Sequence, residues 1–156
     1  MSKLSVSYNK KLKLSNVLST EITLEANQDV NIAYEKMNNY IKSKGLQPLG
    51  PPIQYHNTKE VAENDLNVTI KLMQQTTGFI SNPEKPYKQM AMVRVSNCLY
   101  TRYQGTIERL NFAYQKLLLT AYEEDIHLKG DSYLVVLDEV DGQVTVDLFM
   151  ECIRND

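Results

Sequence analysis

The sequence predicts an α+β fold built twice, strand-helix-strand-strand in each half, with two helices packed on antiparallel sheet. Three observations predict it. Ala33-Tyr34-Glu35-Lys36-Met37 matches Ala113-Tyr114-Gln115-Lys116-Leu117 at an offset of 80 residues, both at mid-helix. Each helix is then followed by a glycine, a short strand, an acidic turn and a long alternating strand. Those long strands, Val68 to Leu72 and Val146 to Met150, stand at an offset of 78. A shared order and spacing of flanking elements marks an internal repeat. Finally, the strand segments alternate apolar with polar residues, as half-buried antiparallel strands do. The reading is an N-terminal arm at 1–15 and one domain at 16–152, with pseudo-repeats at 16–74 and 88–152. Their junction is expected to form a central cleft, a favoured place for a small-molecule site.

Asn16 to Leu24 reads as the first strand, with Leu18, Thr20, Ile22 and Leu24 facing inward. Asn27 offers an N-cap, and Val30, Ala33/Tyr34, Met37 and Tyr40/Ile41 recur at helical spacing until Lys42 and Lys44 meet Gly45. Gln47 to Pro52 cannot extend that helix, because its prolines remove amide donors. A short strand is expected at Ile53 to His56, and Asn64-Asp65 turns into Leu66 to Met73. Gln75 to Tyr87 is polar, carries Gly78, Pro83 and Pro86, and has the length of a functional lid or a mobile loop. Met90 to Val95 and Leu99 to Gln104 read as strands paired across Ser96-Asn97. A second helix follows Gly105-Thr106 with Ile107, Leu110, Ala113/Tyr114, Leu117 and Ala121 on one stripe. Tyr133 to Leu137 and Val144 to Cys152 close the chain as a hairpin, with Asp141-Gly142 as its type I′ signal.

Composition narrows the function. Lys and Arg number 17 against 19 Asp and Glu, a formal charge of −2 without long runs of one sign. A binder of the phosphate backbone carries a basic surplus or stripe, so direct nucleic-acid binding is not expected. Lys10, Lys11 and Lys13 read as a solvated arm. No apolar run reaches the about 20 residues of a membrane helix. Cys98 and Cys152 have neither metal-ligand spacing nor the density of a disulfide scaffold, which fits a reducing, cytoplasmic compartment. His56 and His127 stand apart from any ligand cluster, and no phosphate loop or nucleophile elbow is present, so neither metal nor cofactor is implied. Tyrosine dominates the aromatic set with ten residues against three Phe and no Trp, suited either to lining a cavity or to half-buried strands.

Gly50-Pro51-Pro52-Ile53-Gln54-Tyr55, Asp65-Leu66-Asn67-Val68-Thr69-Ile70, Tyr103-Gln104-Gly105 with Leu110, Ala113-Tyr114 and Leu117, then Tyr133 to Leu137 and Asp147-Leu148-Phe149-Met150 form an ordered set. From about Asn16 to Cys152 the chain thereby resembles the GyrI-like effector-binding domains. These are related to the drug-binding halves of multidrug-responsive, AraC-type and MerR-type bacterial transcription regulators. The resemblance implies a duplicated, SHS2-like fold. It also implies an aromatic-walled cavity between the halves for flat, apolar, often cationic compounds. With 15 residues ahead of Asn16 there is no room for a helix-turn-helix, and a stand-alone member is expected.

One departure bears on chemistry. Counting back from Phe149, the glutamate characteristic of the family falls at Leu134, which holds no charge. Glu21, Asp147 or Glu151 could substitute if its side chain points inward, and a one-residue register slip would exchange the faces. Replacing Leu134 with Glu is then expected to favour cations. Tyr55, Tyr103, Tyr133, Leu134, Val136 and Phe149 are the ligand-binding candidates, while Tyr34 and Tyr114 are expected to pack helix on sheet. Alternation places Asp147 opposite Val146 and Leu148, hence in solvent. The expected activity is non-catalytic binding of a small hydrophobic ligand, for sensing or sequestration. A hydrolase of reactive small molecules is one alternative, and a module that binds a protein partner, such as a gyrase inhibitor, is another.

Overall fold

The computed structural model describes residues 4–22, 29–62 and 65–153, with side chains described outside 59–67. The expectations placed on Leu24, Asn27 and Asn64 lie outside the described residues. The chain divides into two compact units, Lys13–Arg94 and Val95–Asp156 with Met1–Leu12. The elements are β1 (Val6–Ile22), α1 (Val30–Ser43), β2 (Pro48–Ala62), β3 (Asp65–Thr76), β4 (Lys88–Thr106), α2 (Asn111–Glu123), β5 (Asp131–Val140) and β6 (Gln143–Glu151). This is α+β architecture with antiparallel ladders and two helices.

In the unit Lys13–Arg94, β3 pairs with β1 on one side and β2 on the other. Leu18, Thr20 and Ile22 stand opposite Gln74, Leu72 and Ile70. Leu18, Ile22, Ile70 and Leu72 pack against Met37 and Ile41 of α1, so the face expected to point inward does so. Asp29 caps α1 by accepting the Asn31 amide at 2.8 Å. Gly45, at φ 76°, ends the helix in the left-handed region, and its N–H reaches back to the Lys42 carbonyl at 3.0 Å. Tyr34 projects from α1 and donates its hydroxyl to the Ile53 carbonyl of β2 at 2.7 Å, and burial pushes its pKa up. Tyr34→Phe removes that part-buried hydrogen bond. A loss of about 1–2 kcal/mol is expected, read as a lower urea midpoint at unchanged m-value.

In the other unit, β6 lies between β4 and β5. Leu99, Thr101 and Tyr103 stand opposite Met150, Leu148 and Val146, and Leu134 and Val136 stand opposite Leu148 and Val146. This face packs on Ala113, Leu117 and Ala121 of α2. Leu117, Val146 and Leu148 have almost no exposure, and full burial of such a side chain stabilises by about 1.5–3 kcal/mol. A 3₁₀ turn at Ile107–Arg109 precedes α2, which therefore begins later than its periodicity suggests. Its outer face leaves Phe112, Leu118, Leu119 and Tyr122 exposed.

Three elements differ from expectation. The first strand begins at Val6 instead of Asn16. The Lys and apolar alternation read as an arm is the two faces of that strand, with Leu12 and Leu14 buried and Lys11 and Lys13 exposed. β2 spans 15 residues because a register shift between Leu49 and Ile53 absorbs Gly50-Pro51-Pro52, leaving the prolines outside the regular ladder. β4 runs unbroken where a hairpin was expected at Ser96-Asn97. A type I′ turn needs positive φ at both central residues, and of that pair Asn97 alone has it, at 59°. Asp141 and Gly142, at 51° and 77°, meet the requirement and make the β5–β6 turn.

The ladders share one register. Tyr55 opposes Lys71 in β2 and β3 as Tyr133 opposes Phe149 in β5 and β6, each 78 residues on. Glu21 opposes Lys71 as Tyr100 opposes Phe149.

Candidate functional site

Directly opposed residues in antiparallel strands share a face. In the unit containing β4–β6, Tyr100, Phe149 and Tyr133 therefore form one row across three strands, on the face turned away from α2. The Tyr100 and Phe149 rings lie 5.0 Å apart, tilted by 44°. The next row holds Arg102, Asp147 and Val135. Asp147 accepts the Tyr100 hydroxyl at 2.6 Å and two Arg102 guanidinium N–H groups at 2.8 and 3.0 Å. Alternation does place Asp147 opposite Val146 and Leu148, but its side chain is only 14% exposed. Partial burial disfavours its charge, yet the hydrogen bonds from Arg102 and Tyr100 prevail and hold the carboxyl below its ordinary range.

All three candidate carboxylates have a cation as neighbour. Asp147 is held by Arg102, and Glu151 pairs with Lys129 at 3.0 Å. Glu21 is exposed and faces Lys71 across the β1–β3 ladder. An aromatic surface gains selectivity for cations from a carboxylate whose charge is uncompensated. Neither Asp147 nor Glu151 supplies that feature.

The unit Lys13–Arg94 carries a groove of about 840 Å³ on the face of its ladder turned away from α1. Ser19 and Lys71 form one wall, and Asn82, Pro83 and Lys85 to Met90 form the other, with Pro83, Pro86, Tyr87 and Met90 as its apolar part. Ligand pockets typically occupy about 300–1,000 Å³ and combine an apolar lining with a few polar groups. The segment read as a lid or mobile loop is pinned. Tyr87 stacks on Tyr40 of α1 with centroids 4.6 Å apart, and the Tyr40 hydroxyl accepts the Glu84 amide at 2.9 Å. Ile80, buried beneath the segment's start, donates its amide to the Gln89 side chain at 3.3 Å. Tyr40→Ala removes a stacked pair and one hydrogen bond, together about 2 kcal/mol of local support. Amide exchange across 80–88 is expected to quicken by roughly 10- to 30-fold, measured by hydrogen-deuterium exchange.

The sequence-predicted residues divide between faces. Tyr133 and Phe149 meet in the aromatic row, and Tyr55 lies beside Lys71, whose ammonium is 5.5 Å from its ring centre. Tyr103, Leu134 and Val136 lie instead on the α2 side, packed into the core. Tyr103 also donates its hydroxyl to the Thr106 carbonyl. Tyr100, Arg102, Lys71 and Tyr87 were not anticipated. The first two could have been found by alternation, since each lies two residues from the next on one strand and faces Phe149 or Asp147 on its neighbour. The cysteines are free and buried, and burial, followed by the charge of Glu151, pushes Cys98 up to about 12. Burial also lowers the pKa of His56 by disfavouring its charged form.

No family model matches the chain, and no curated protein matches its sequence. Solved structures do. EcmrR, in a DNA complex, aligns over 97% of this chain with TM-score 0.66 at 12% identity. The chain spans 58% of that EcmrR polypeptide. The C-terminal domain of EcmrR alone aligns over 98% of both chains with TM-score 0.65 at 9% identity. A hydrolase from Listeria innocua aligns over 97% of this chain and 92% of its own, with TM-score 0.57 at 10% identity. SAV2435, solved with tetraphenylphosphonium, aligns over 97% and 94%, with TM-score 0.52 at 10% identity. Among the described residues no helix is long and apolar enough to cross a membrane. The fold of this chain is that of the EcmrR C-terminal domain, in agreement with its resemblance to GyrI-like effector-binding domains.

Proposed function

We propose that the chain is a non-catalytic receptor for a small, apolar, planar compound, held in the groove of the unit Lys13–Arg94 and used for sensing or sequestration. The observation that carries this reading is the groove beside Ser19, Lys71 and Tyr87, whose volume and mixed lining suit a drug-sized molecule and whose mobile-looking wall is fixed to α1. Tyr87 is the aromatic contact in this reading, whereas Tyr103, Leu134 and Val136 serve packing. The shared register of the ladders supports descent from one duplicated strand-helix-strand-strand module.

The fold relation to a regulator and to a tetraphenylphosphonium-bound protein is consistent with a role in transcription regulation or a drug response. The ion pairs that Asp147 and Glu151 make argue against a preference for cations at those two carboxylates. A hydrolase would need an activated nucleophile or a general base, and the raised Cys98 thiol does not provide one. Titration with neutral N-phenyl-1-naphthylamine tests the reading. Saturable binding at one site per chain, weakened by Tyr87→Ala, is expected, and an unsaturable response would refute it.

A further inference from the structure

The groove's charge points to a class of ligand. Three lysines, Lys71, Lys85 and Lys88, are among its lining residues, the Lys71 ammonium resting over the Tyr55 ring, and among the described residues no carboxylate lines it. Glu21 and Glu84 neighbour it in sequence or register, but neither lines it. The apolar wall of Pro86, Tyr87 and Met90 lies in the same groove as these cations, so one molecule can meet both. An ammonium gains about twice as much from an anionic acceptor as a neutral donor gains from a neutral one. A cation placed here would meet like charge from the lysines instead.

We infer that the natural ligand is a planar aromatic acid, bearing a carboxylate, sulfonate or phosphate. Its ring would lie on the apolar wall and its acid group among Lys71, Lys85 and Lys88, with the Ser19 hydroxyl as a further donor. This rests on the small-molecule reading above and reverses the charge expected from the family resemblance.

The test compares 1-anilinonaphthalene-8-sulfonate with N-phenyl-1-naphthylamine, which has the same ring skeleton without the sulfonate, and with tetraphenylphosphonium. At low ionic strength the sulfonate is expected to bind at least about tenfold more tightly than the neutral probe, with the ratio shrinking as salt screens the lysines. Joint replacement of Lys71, Lys85 and Lys88 by Gln should bring the ratio near one while the neutral probe still binds. Replacement of Lys10, Lys11 and Lys13 by Gln should leave the ratio intact. Equal affinity for the two naphthyl probes, tighter binding of the phosphonium, or a ratio that survives the Lys71, Lys85 and Lys88 replacement overturns the inference but leaves the receptor reading standing. Absence of saturable binding by any of the three overturns both.

Discussion

Arg102→Leu is expected to raise the affinity for tetraphenylphosphonium on the order of tenfold, while binding of N-phenyl-1-naphthylamine stays within about twofold. In the wild-type chain Arg102 grips Asp147 through two hydrogen bonds, so the carboxylate beside Tyr100 and Phe149 is already compensated. Leucine keeps an apolar stem but leaves Asp147 with the Tyr100 hydroxyl as its remaining donor. A lipophilic cation then neutralises a part-buried charge and meets aromatic faces, two gains that a neutral ring lacks. The same substitution lowers the melting temperature at neutral pH. The Asp147 pKa is depressed in the folded chain, so its contribution to stability is present above the ordinary carboxylate range and is lost as pH falls through the folded value. The wild-type and variant stability curves should therefore separate above about pH 4 and converge in acid. Parallel curves, or a cation affinity that does not move, would show that Asp147 is not the compensated charge.

Leu134→Glu carries the second large effect. Counting from Phe149 suggests that a glutamate here would restore a preference for cations, but Leu134 faces Leu148 and the Ala113–Leu117 side of α2 and is 5% exposed. The substitution removes a buried leucine and places a carboxylate in an apolar core. A destabilisation of at least about 3–5 kcal/mol is expected, enough to unfold a marginal domain. Leu134→Met, which nearly conserves volume, should cost less than about 1.5 kcal/mol. A Leu134→Glu chain that unfolded at the wild-type urea concentration and bound tetraphenylphosphonium selectively would place this residue at a ligand.

Much of the fold was legible because its physics is local. Strand alternation identified the α1-facing residues Leu18, Thr20 and Ile22, and the apolar stripe of α2 named Ala113, Leu117 and Ala121, all now seen in the two cores or on the α1-facing side. Asp141-Gly142 carried its own turn signal. What alternation could not tell was whether a break in pattern ends a strand or merely bends it. Asn9, Asn16 and Asn97 each take a positive φ inside a continuing strand, and Gly50-Pro51-Pro52 passes as a register shift. From sequence each of these reads equally well as a boundary.

The site was less legible for a related reason. Membership of a strand does not specify a face until the register is known. Tyr133 and Leu134 are adjacent, yet the first joins the aromatic row and the second the α2 core. Charge compensation was hidden altogether, because Arg102 and Asp147 are brought together by cross-strand pairing at a separation of 45 residues. The groove depends on Tyr40 of α1 stacking on Tyr87, a contact between a helix and a proline-rich segment that no periodicity encodes.

The most direct test of the receptor reading is to follow backbone amide shifts of labelled protein during titration with N-phenyl-1-naphthylamine. Saturable shifts centred on Ser19, Lys71 and residues 82–90 are the predicted result. Shifts that grow without saturating, or that gather on the exposed outer face of α2 around Phe112, Leu119 and Tyr122, would contradict it.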